Sequence, residues 1–589
     1  MVTDVYTSIK KSSLPNITDW DCINWLKIGQ YVEKFQQRIY HAERFGKIRK
    51  VRDLQRLLMK SQAALLLSIR RVTQINKGKR TAGVDGYKAL MPYERVELYN
   101  KMKYLNINGH RPKPTYRTYI GKKNGKLRPL GIPTMKDRIY QNIARLALEP
   151  QWEAKFEPTS YGFRPKRNCH DAIERIFNTI GNKKQWIFEG DFKGCFDNLN
   201  HDYILEQIKG FPAFNVVEKW LKAGFVDNKV FYVSENGTPQ GGIISPLLAN
   251  IALHGLESLL NISYREEKRK TKVSFVNQTK YAVAKYADDF VIMCESEEEA
   301  NDLYTKLKPY LTTRGLELAL EKTKVNHIEN GFDFLGFNIR KYKTHNGNKI
   351  LIKPSKDSIK AAKKKVIDKT RQFYGKNVQV LVSTLNPIII GTANYWSPSV
   401  AKEVFTEMDS HIWRTQYKFL RRLHPKKSWR WISQRYYKPD KSGQSKSKWI
   451  LTDPITNNQL KRMSWTPIVR HVQIKYDYSP FNKYLKGYFE KRDIKEFDKN
   501  NVAYRQKLAK KQKYKCPICS HSIADGSEGL ETHHKIPRVK GGSNEYKNLE
   551  LVHISCHIEY HKVFPAKGET PNDIQLKSVK RYIKNKKLS

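Results

Sequence analysis

Two acidic residues, Asp288 and Asp289, stand side by side between the apolar runs Val283–Tyr286 and Phe290–Met293. That pattern predicts a tight hairpin with both carboxylates at its tip. A further acid, Asp191, closes the strand-like run Trp186–Gly190 just where the sequence turns polar. Carboxylate oxygens are the ligands that hard divalent cations prefer. Two such ions about 4 Å apart can activate a hydroxyl and hold a phosphate, the chemistry of nucleotidyl transfer. A bare acidic pair usually sits in a solvated loop, so its neighbours must decide.

A different constellation lies near the C-terminus. Cys516–Pro–Ile–Cys519 is a knuckle, and His553–Ile–Ser–Cys556 can supply the second pair of a tetrahedral zinc site. Between them come His533–His534, Gly541–Gly542 and Asn548–Leu549. Beyond them His557 and His561, four residues apart, share one helical face and place both imidazoles over one ion. A structural zinc finger that only binds DNA is the plainer reading, but a plain finger needs four ligands, fewer than the ordered polar residues present.

These groups must be positioned by elements the rest of the chain supplies. At 589 residues the chain is too long for one core, and roughly 100–200 residues per domain predicts several units. Hydrophobic residues make up 39% and aromatics 12%, enough for packed cores. Lys and Arg number 109 against 57 Asp and Glu, a formal charge of +52. That excess repels itself in a compact state unless a polyanion relieves it, and nucleic acid is the usual one. No uncharged apolar run of about 18 residues is present, which excludes a spanning helix, and Met1 to Asn16 lacks a secretory pattern. The seven cysteines include four isolated ones (Cys22, Cys169, Cys195 and Cys294), which reads as a reduced, intracellular protein.

Along the chain, residues 20–75 show helical spacing with a basic face. Residues 114–132 read as a hairpin with a basic Asn-Gly turn at Lys122–Lys126. From 138 to 350 short strands alternate with helices, an α/β pattern with strands at Trp186–Asp191, Val230–Val233, Val273–Val276, the acidic hairpin and Phe332–Arg340. Past Pro354 the chain is basic and helical, including the aromatic-rich stretch Tyr395–Leu423, and 439–447 reads as a flexible loop. Trp413–Arg414, Arg421–Arg422, Lys426–Lys427 and Trp429–Arg430–Trp431 interleave charge with rings, which suits an RNA surface as readily as a solvated helix over a core.

The order of the motifs resembles reverse transcriptases, specifically those encoded by group II introns. The resemblance rests on Arg128–Pro–Leu–Gly–Ile–Pro133 with Lys136–Asp137–Arg138, Tyr161–Gly–Phe–Arg–Pro165, Gly190–Asp–Phe–Lys–Gly–Cys–Phe–Asp–Asn198, Gly237–Thr–Pro–Gln–Gly–Gly–Ile–Ile–Ser–Pro246, Tyr286–Ala–Asp–Asp–Phe290, and Glu321–Lys–Thr–Lys324 before Phe332–Asp–Phe–Leu–Gly–Phe337. It implies a right-hand polymerase with an α/β palm, a helical thumb, also called the maturase domain, and a small ββα-metal unit. Asp191 and Asp288 would bind two Mg²⁺, with Asp289 beside them and the Phe192 carbonyl completing the shell. Phe196 would exclude a ribose 2′-hydroxyl, Gln240 would lie over the incoming nucleotide, and Lys122 and Arg128 would grip its triphosphate. Gly121 departs from the family, which usually has Pro there.

Gly391–Thr–Ala–Asn–Tyr–Trp396 and Ile468–Val–Arg–His–Val472 resemble the maturase domain, and the C-terminal set resembles HNH endonucleases. By that match His533, His557 and His561 would hold one divalent metal, His534 would be the general base and Asn548 would orient the site. Cys516, Cys519, His553 and Cys556 would hold a structural Zn²⁺, although many relatives have Cys at the position of His553. The expected divisions are 1–75 (helical extension), 76–350 (fingers and palm), 351–480 (thumb), 481–515 (basic DNA-binding linker), 516–565 (nuclease) and 566–589 (basic tail). The implied partners are intron RNA in a ribonucleoprotein, target DNA, an RNA template with DNA primer, and dNTPs, with no membrane. The implied compartment is bacterial cytoplasm or an organelle interior. A splicing chaperone with idle centres and a domesticated immune or repair polymerase are the rival expectations.

Overall fold

In the computed structural model of the chain, the described residues are Trp20, 23–104, 106–121, Gly125, 127–181, 183–269, 272–345 and 347–564. Met1–Asn16, Cys22 and the tail 566–589 lie outside them.

The apolar runs of the central region become a four-stranded antiparallel sheet in the spatial order Lys324–His327, Trp186–Gly190, Asp289–Cys294, Ala282–Tyr286. Its two middle strands send apolar side chains to both faces, as Ile187–Phe188 and Phe290–Cys294 show. Successive side chains point to opposite faces. Phe188, Phe290 and Ile292 therefore join one core with the N-terminal helices, including Trp25–Arg44 and Ile48–Lys60, and the helix Met135–Glu153. Ile187, Val291 and Met293 join a second core with the helix Cys169–Thr179 and the thumb helices. The palm sheet thus sits between the N-terminal extension and the thumb, and the acidic hairpin joins its edge strand Ala282–Tyr286 to Asp289–Cys294.

Residues 115–132 form the expected hairpin, Thr115–Gly121 against Leu127–Ile132, extended by Phe225–Asp227 and Val230–Tyr232 into a second four-stranded sheet. Phe332–Arg340 was expected as one strand. It is instead a hairpin, Phe332–Phe334 against Phe337–Thr344, turned by left-handed Leu335 (φ 48°) and Gly336 (φ 80°). The aromatic-rich stretch likewise divides, because Val378–Trp396 ends at Ser397 and a new helix runs over Lys402–Leu423.

An extended segment after the thumb returns to the palm. The carboxylate of Asp171, fully buried, accepts from His471 Nε2 and the Ile474 N–H, each at 2.9 Å, and also belongs to the capping box of its own helix. Residues 481–515, expected as a linker, build the helices Lys486–Asn500 and Ala503–Lys511. Their Phe497, Leu508 and Ala509 pack into the same core as Cys516, Leu551 and Tyr560. That third core docks on the polymerase body through Arg70–Glu528 (3.4 Å) and Lys166–Asp493 (2.8 Å).

Candidate active sites

The acidic hairpin is closed in two residues, with Tyr286 paired to Asp289 and Ala287 held left-handed at φ 58°. A β-carbon on Gly162 would lie 2.2 Å from the Ala287 nitrogen, so the Tyr161–Pro165 loop needs glycine there to press against the turn. Tyr161 N–H donates to the Lys285 carbonyl and Lys285 N–H to the Thr159 carbonyl, which fixes the approach. On the neighbouring strand Gly190 faces Phe290, and Phe192 stacks on the same ring at 4.9 Å. Asp191 is thereby set beside the hairpin tip.

Asp191, Asp288 and Asp289 are close enough to act on one another through their charges. Burial and the charge of Asp191 raise the Asp288 carboxyl above its ordinary range. Asp289 is pushed up to about 6 by desolvation and then by Asp288 and Asp191. Neighbouring anions that disfavour one another's ionisation, all with oxygen donors, are the donor set a hard divalent cation fits. Lys322 supplies part of the missing positive charge, donating from Nζ to Asp191 at 2.8 Å. Its role was not foreseen, although Glu321–Lys–Thr–Lys324 was among the motifs noticed.

The other polymerase candidates surround this cleft. Arg128 is exposed on the fingers strand, and its charge lowers both Asp288 and Asp289. Phe196 lies in the short helix Cys195–Asn198, edge-on to Phe163 at 6.3 Å. The Phe196 carbonyl accepts from Thr238 N–H at 2.7 Å, which clamps the Gly-Thr-Pro-Gln-Gly-Gly loop against it. The Gln240 carbonyl accepts from Gly131 N–H at 2.9 Å, tying that loop to the fingers strand. Lys122 lies outside the described residues.

The C-terminal unit is ββα: Leu530–His534 pairs with Leu549–His553 and the helix Ile554–Val563 follows. The ligand atoms of Cys516, Cys519, His553 and Cys556 lie within 4.8 Å of one another, all in buried residues. His553 Nε2 donates to the Ser522 carbonyl (3.0 Å), so Nδ1 faces Cys519 Sγ (3.3 Å) and Cys556 Sγ (3.9 Å). A carbonyl behind the ring is what orients a metal-binding imidazole. Burial opposes it, yet the sulfurs of Cys516 and Cys519 hold His553 up at about 10, and Cys519 and Cys556 hold the Cys516 thiol far down. Three sulfurs and one imidazole nitrogen converging in this way are the donor set that a tetrahedral zinc ion fits.

His533, His557 and His561 form another such group within 4.8 Å. His557 Nδ1 is taken by Glu531 and His561 Nδ1 donates to the Phe564 carbonyl. Their Nε2 atoms face each other at 3.1 Å. In neutral rings those would be two lone pairs in contact, an arrangement that a cation resolves. Burial and the neighbouring His561 lower the His557 pKa. His534 Nε2 meets Asn544 Oδ1 at 2.9 Å. Asn548, expected to orient the base, is engaged otherwise: it accepts from Ile536 N–H and donates to the Ile536 and Ser543 carbonyls. It therefore fixes the loop carrying Asn544, and Asn544 meets the His534 ring. Glu531 and Asn544 were not foreseen, since neither spacing nor residue type distinguishes them from surface polar residues.

Comparison with known proteins agrees with this arrangement. Residues 20–102 match the N-terminal domain of reverse transcriptase, 120–339 reverse transcriptase (RNA-dependent DNA polymerase), 359–437 the group II intron maturase-specific domain and 516–562 HNH endonuclease. Protein YkfC of Escherichia coli is 36% identical over 50% of this chain and 85% of its own length. Group II intron-encoded protein LtrA of Lactococcus lactis is 32% identical over 48% of this chain and 58% of its own. Maturase-like protein 1 of Euglena gracilis is 26% identical over 54% and 64%. Among the described residues no helix is long and apolar enough to cross a membrane.

Proposed function

The chain belongs to the reverse transcriptases encoded by group II introns, with a maturase domain and an HNH endonuclease unit on the same polypeptide, and we propose that it serves intron mobility by target-primed reverse transcription. The observation that carries this reading is a nuclease unit with a three-histidine cluster within 4.8 Å, docked on a body whose Asp191, Asp288 and Asp289 act on one another through their charges. The protein binds folded intron RNA through its thumb, supports splicing, and travels with the excised RNA as a ribonucleoprotein in a bacterial or organellar compartment. The RNA reverse-splices into one DNA strand, the HNH unit nicks the other, and the polymerase extends the new 3′-hydroxyl. Residues 481–515 keep a role in DNA contact through their exposed basic side chains.

At the polymerase centre Asp191, Asp288 and the Phe192 carbonyl would hold two Mg²⁺, with Asp289 beside them. Such ions would supply acidity to a primer 3′-hydroxyl and positive charge to a triphosphate. Arg128 and Lys122 grip the triphosphate, the Phe196 ring excludes a ribose 2′-hydroxyl, and the Gln240 loop covers the nucleotide. At the nuclease centre His533, His557 and His561 would hold one divalent ion, which would supply positive charge to a scissile phosphate. His534 donates from Nε2 to Asn544, which leaves Nδ1 to take the proton of the attacking water. Cys516, Cys519, His553 and Cys556 hold Zn²⁺ and fix the ββα unit.

The test is a reconstituted ribonucleoprotein given a DNA target and dNTPs. Asp288→Asn should abolish cDNA but leave nicking, and His534→Ala should abolish nicking but leave extension of a supplied primer. Primer extension intact in Asp288→Asn, or nicking intact in His534→Ala, overturns the corresponding assignment. Wild-type inactivity in both assays, with RNA binding intact, supports the chaperone reading.

A further inference from the structure

A cavity of about 460 Å³ opens in the thumb between the helix Lys402–Leu423 and the strand Ile450–Leu451 with the turn Met463–Trp465. This is within the size range of small-ligand sites, roughly 300–1,000 Å³. Residues 449–464 on its far wall lie beyond the maturase-specific match, which ends at 437. Two indoles stand at the cavity with much of their surface exposed, Trp413 at 38% and Trp449 at 49%. Gln416, one turn on from Trp413, lines the same cavity and is only 5% exposed. Among the described residues its Oε1 is buried without a hydrogen-bond partner. An unmet buried acceptor keeps the cost of its desolvation, so it points to a donor brought by a ligand.

The charges around the opening identify the ligand class. Arg414, Lys461 and Arg462 line it, and Asp409 is the one acid on that wall. Both Asp409 oxygens are spent on backbone, accepting from Met463 N–H (2.7 Å) and Ser464 N–H (3.1 Å). The cavity is therefore flat-walled by indoles, cationic at its mouth, and carries a carboxamide inside. Trp413 continues through Tyr417, Trp429 and Tyr437 to Trp449 in a chain of ring contacts of 4.6–5.7 Å, so the site belongs to a larger stacking surface. We propose that this cavity captures one adenine base extruded from folded RNA. The base stacks on the indoles, the Gln416 carboxamide pairs with its adjacent donor and acceptor, and the arginines and lysine take the flanking phosphates. This deepens the RNA-binding reading of the thumb and rests on it.

The experiment uses the full chain and five RNA hairpins, one fully paired and four carrying a single bulged A, G, C or U, compared by filter binding at one salt concentration. The adenine-bulged hairpin should bind roughly tenfold more tightly than the others. Gln416→Met and Trp449→Ala should each return it to the level of the paired hairpin. Trp449 is exposed and outside the cores, and unchanged primer extension in both variants confirms their folding. Equal binding of all five hairpins overturns the proposal, as does preference for another base or an adenine preference that survives in both variants. Free AMP is the other source of an adenine, and AMP binding as tight as the bulged hairpin overturns the RNA assignment. Failure to bind any hairpin refutes the RNA-binding reading itself, whereas indifference to the bulge refutes the base site alone.

Discussion

Gly190→Ala isolates what positions the polymerase carboxylates. Gly190 has no left-handed φ, so the backbone accepts alanine and any effect is steric. An added β-carbon would stand 2.1 Å from Phe290 Cζ and 2.5 and 2.6 Å from its Cε atoms, where carbon contacts settle near 3.5–4.0 Å. The ring cannot swing freely, because Phe192 stacks on it at 4.9 Å and Phe188 lies at 6.2 Å. Overpacking of this kind costs about 1–3 kcal/mol. The strain falls on Phe290 and Phe192, each one residue from a catalytic aspartate, so the carboxylates should shift as well. A displacement near 1 Å lowers turnover about a hundredfold. Primer extension should thus fall by about that factor and the unfolding midpoint should drop, while the HNH nick persists. Gly391→Ala is the control: it lies exposed in the helix Val378–Trp396 with nothing within 4 Å of an added β-carbon, and should stabilise by about 0.5–1 kcal/mol. A Gly190→Ala protein with wild-type extension and unfolding would refute the packing account of the site.

Other outcomes follow from the same geometry. Because the Asp289 pKa rises to about 6 in the folded chain, the folded state binds more protons than the unfolded state across that window. Metal-free protein should lose stability as pH climbs from about 4 to 6, and Asp289→Asn or added Mg²⁺ should flatten the loss in pH-resolved thermal melts. Stripping zinc with a chelator should unfold the C-terminal unit and stop nicking while primer extension continues, and His553→Cys should retain zinc by elemental analysis. Phe196→Ala should lower the preference for dNTPs over rNTPs by at least about tenfold in single-nucleotide incorporation, with less effect on dNTP use.

The chemistry-bearing residues were legible wherever a local pattern carries them. Asp288 and Asp289 between apolar runs, the paired Cys and His knuckles, and the four-residue step from His557 to His561 are short-range signals, and hairpin and helix geometry turn them directly into positions in space. The strand Trp186–Gly190 was visible for the same reason, as a short run rich in apolar residues. Contacts between distant segments were not legible. Lys322 reaches Asp191 across 131 positions, and Asp171 holds His471 across 300. Asn548 was expected to orient the site; its amide binds Ile536 and Ser543, and the contact with the His534 ring is made by Asn544. Likewise the basic charge of 481–515 concealed Phe497, Leu508 and Ala509, which complete the nuclease core. Sequence by itself determined the ligand types and their local spacing, because donor chemistry and backbone periodicity are properties of a few consecutive residues. Tertiary structure alone decided which partner orients each ligand and which polar group is left unmet in a cavity, because packing assigns hydrogen bonds among residues that the chain does not place together.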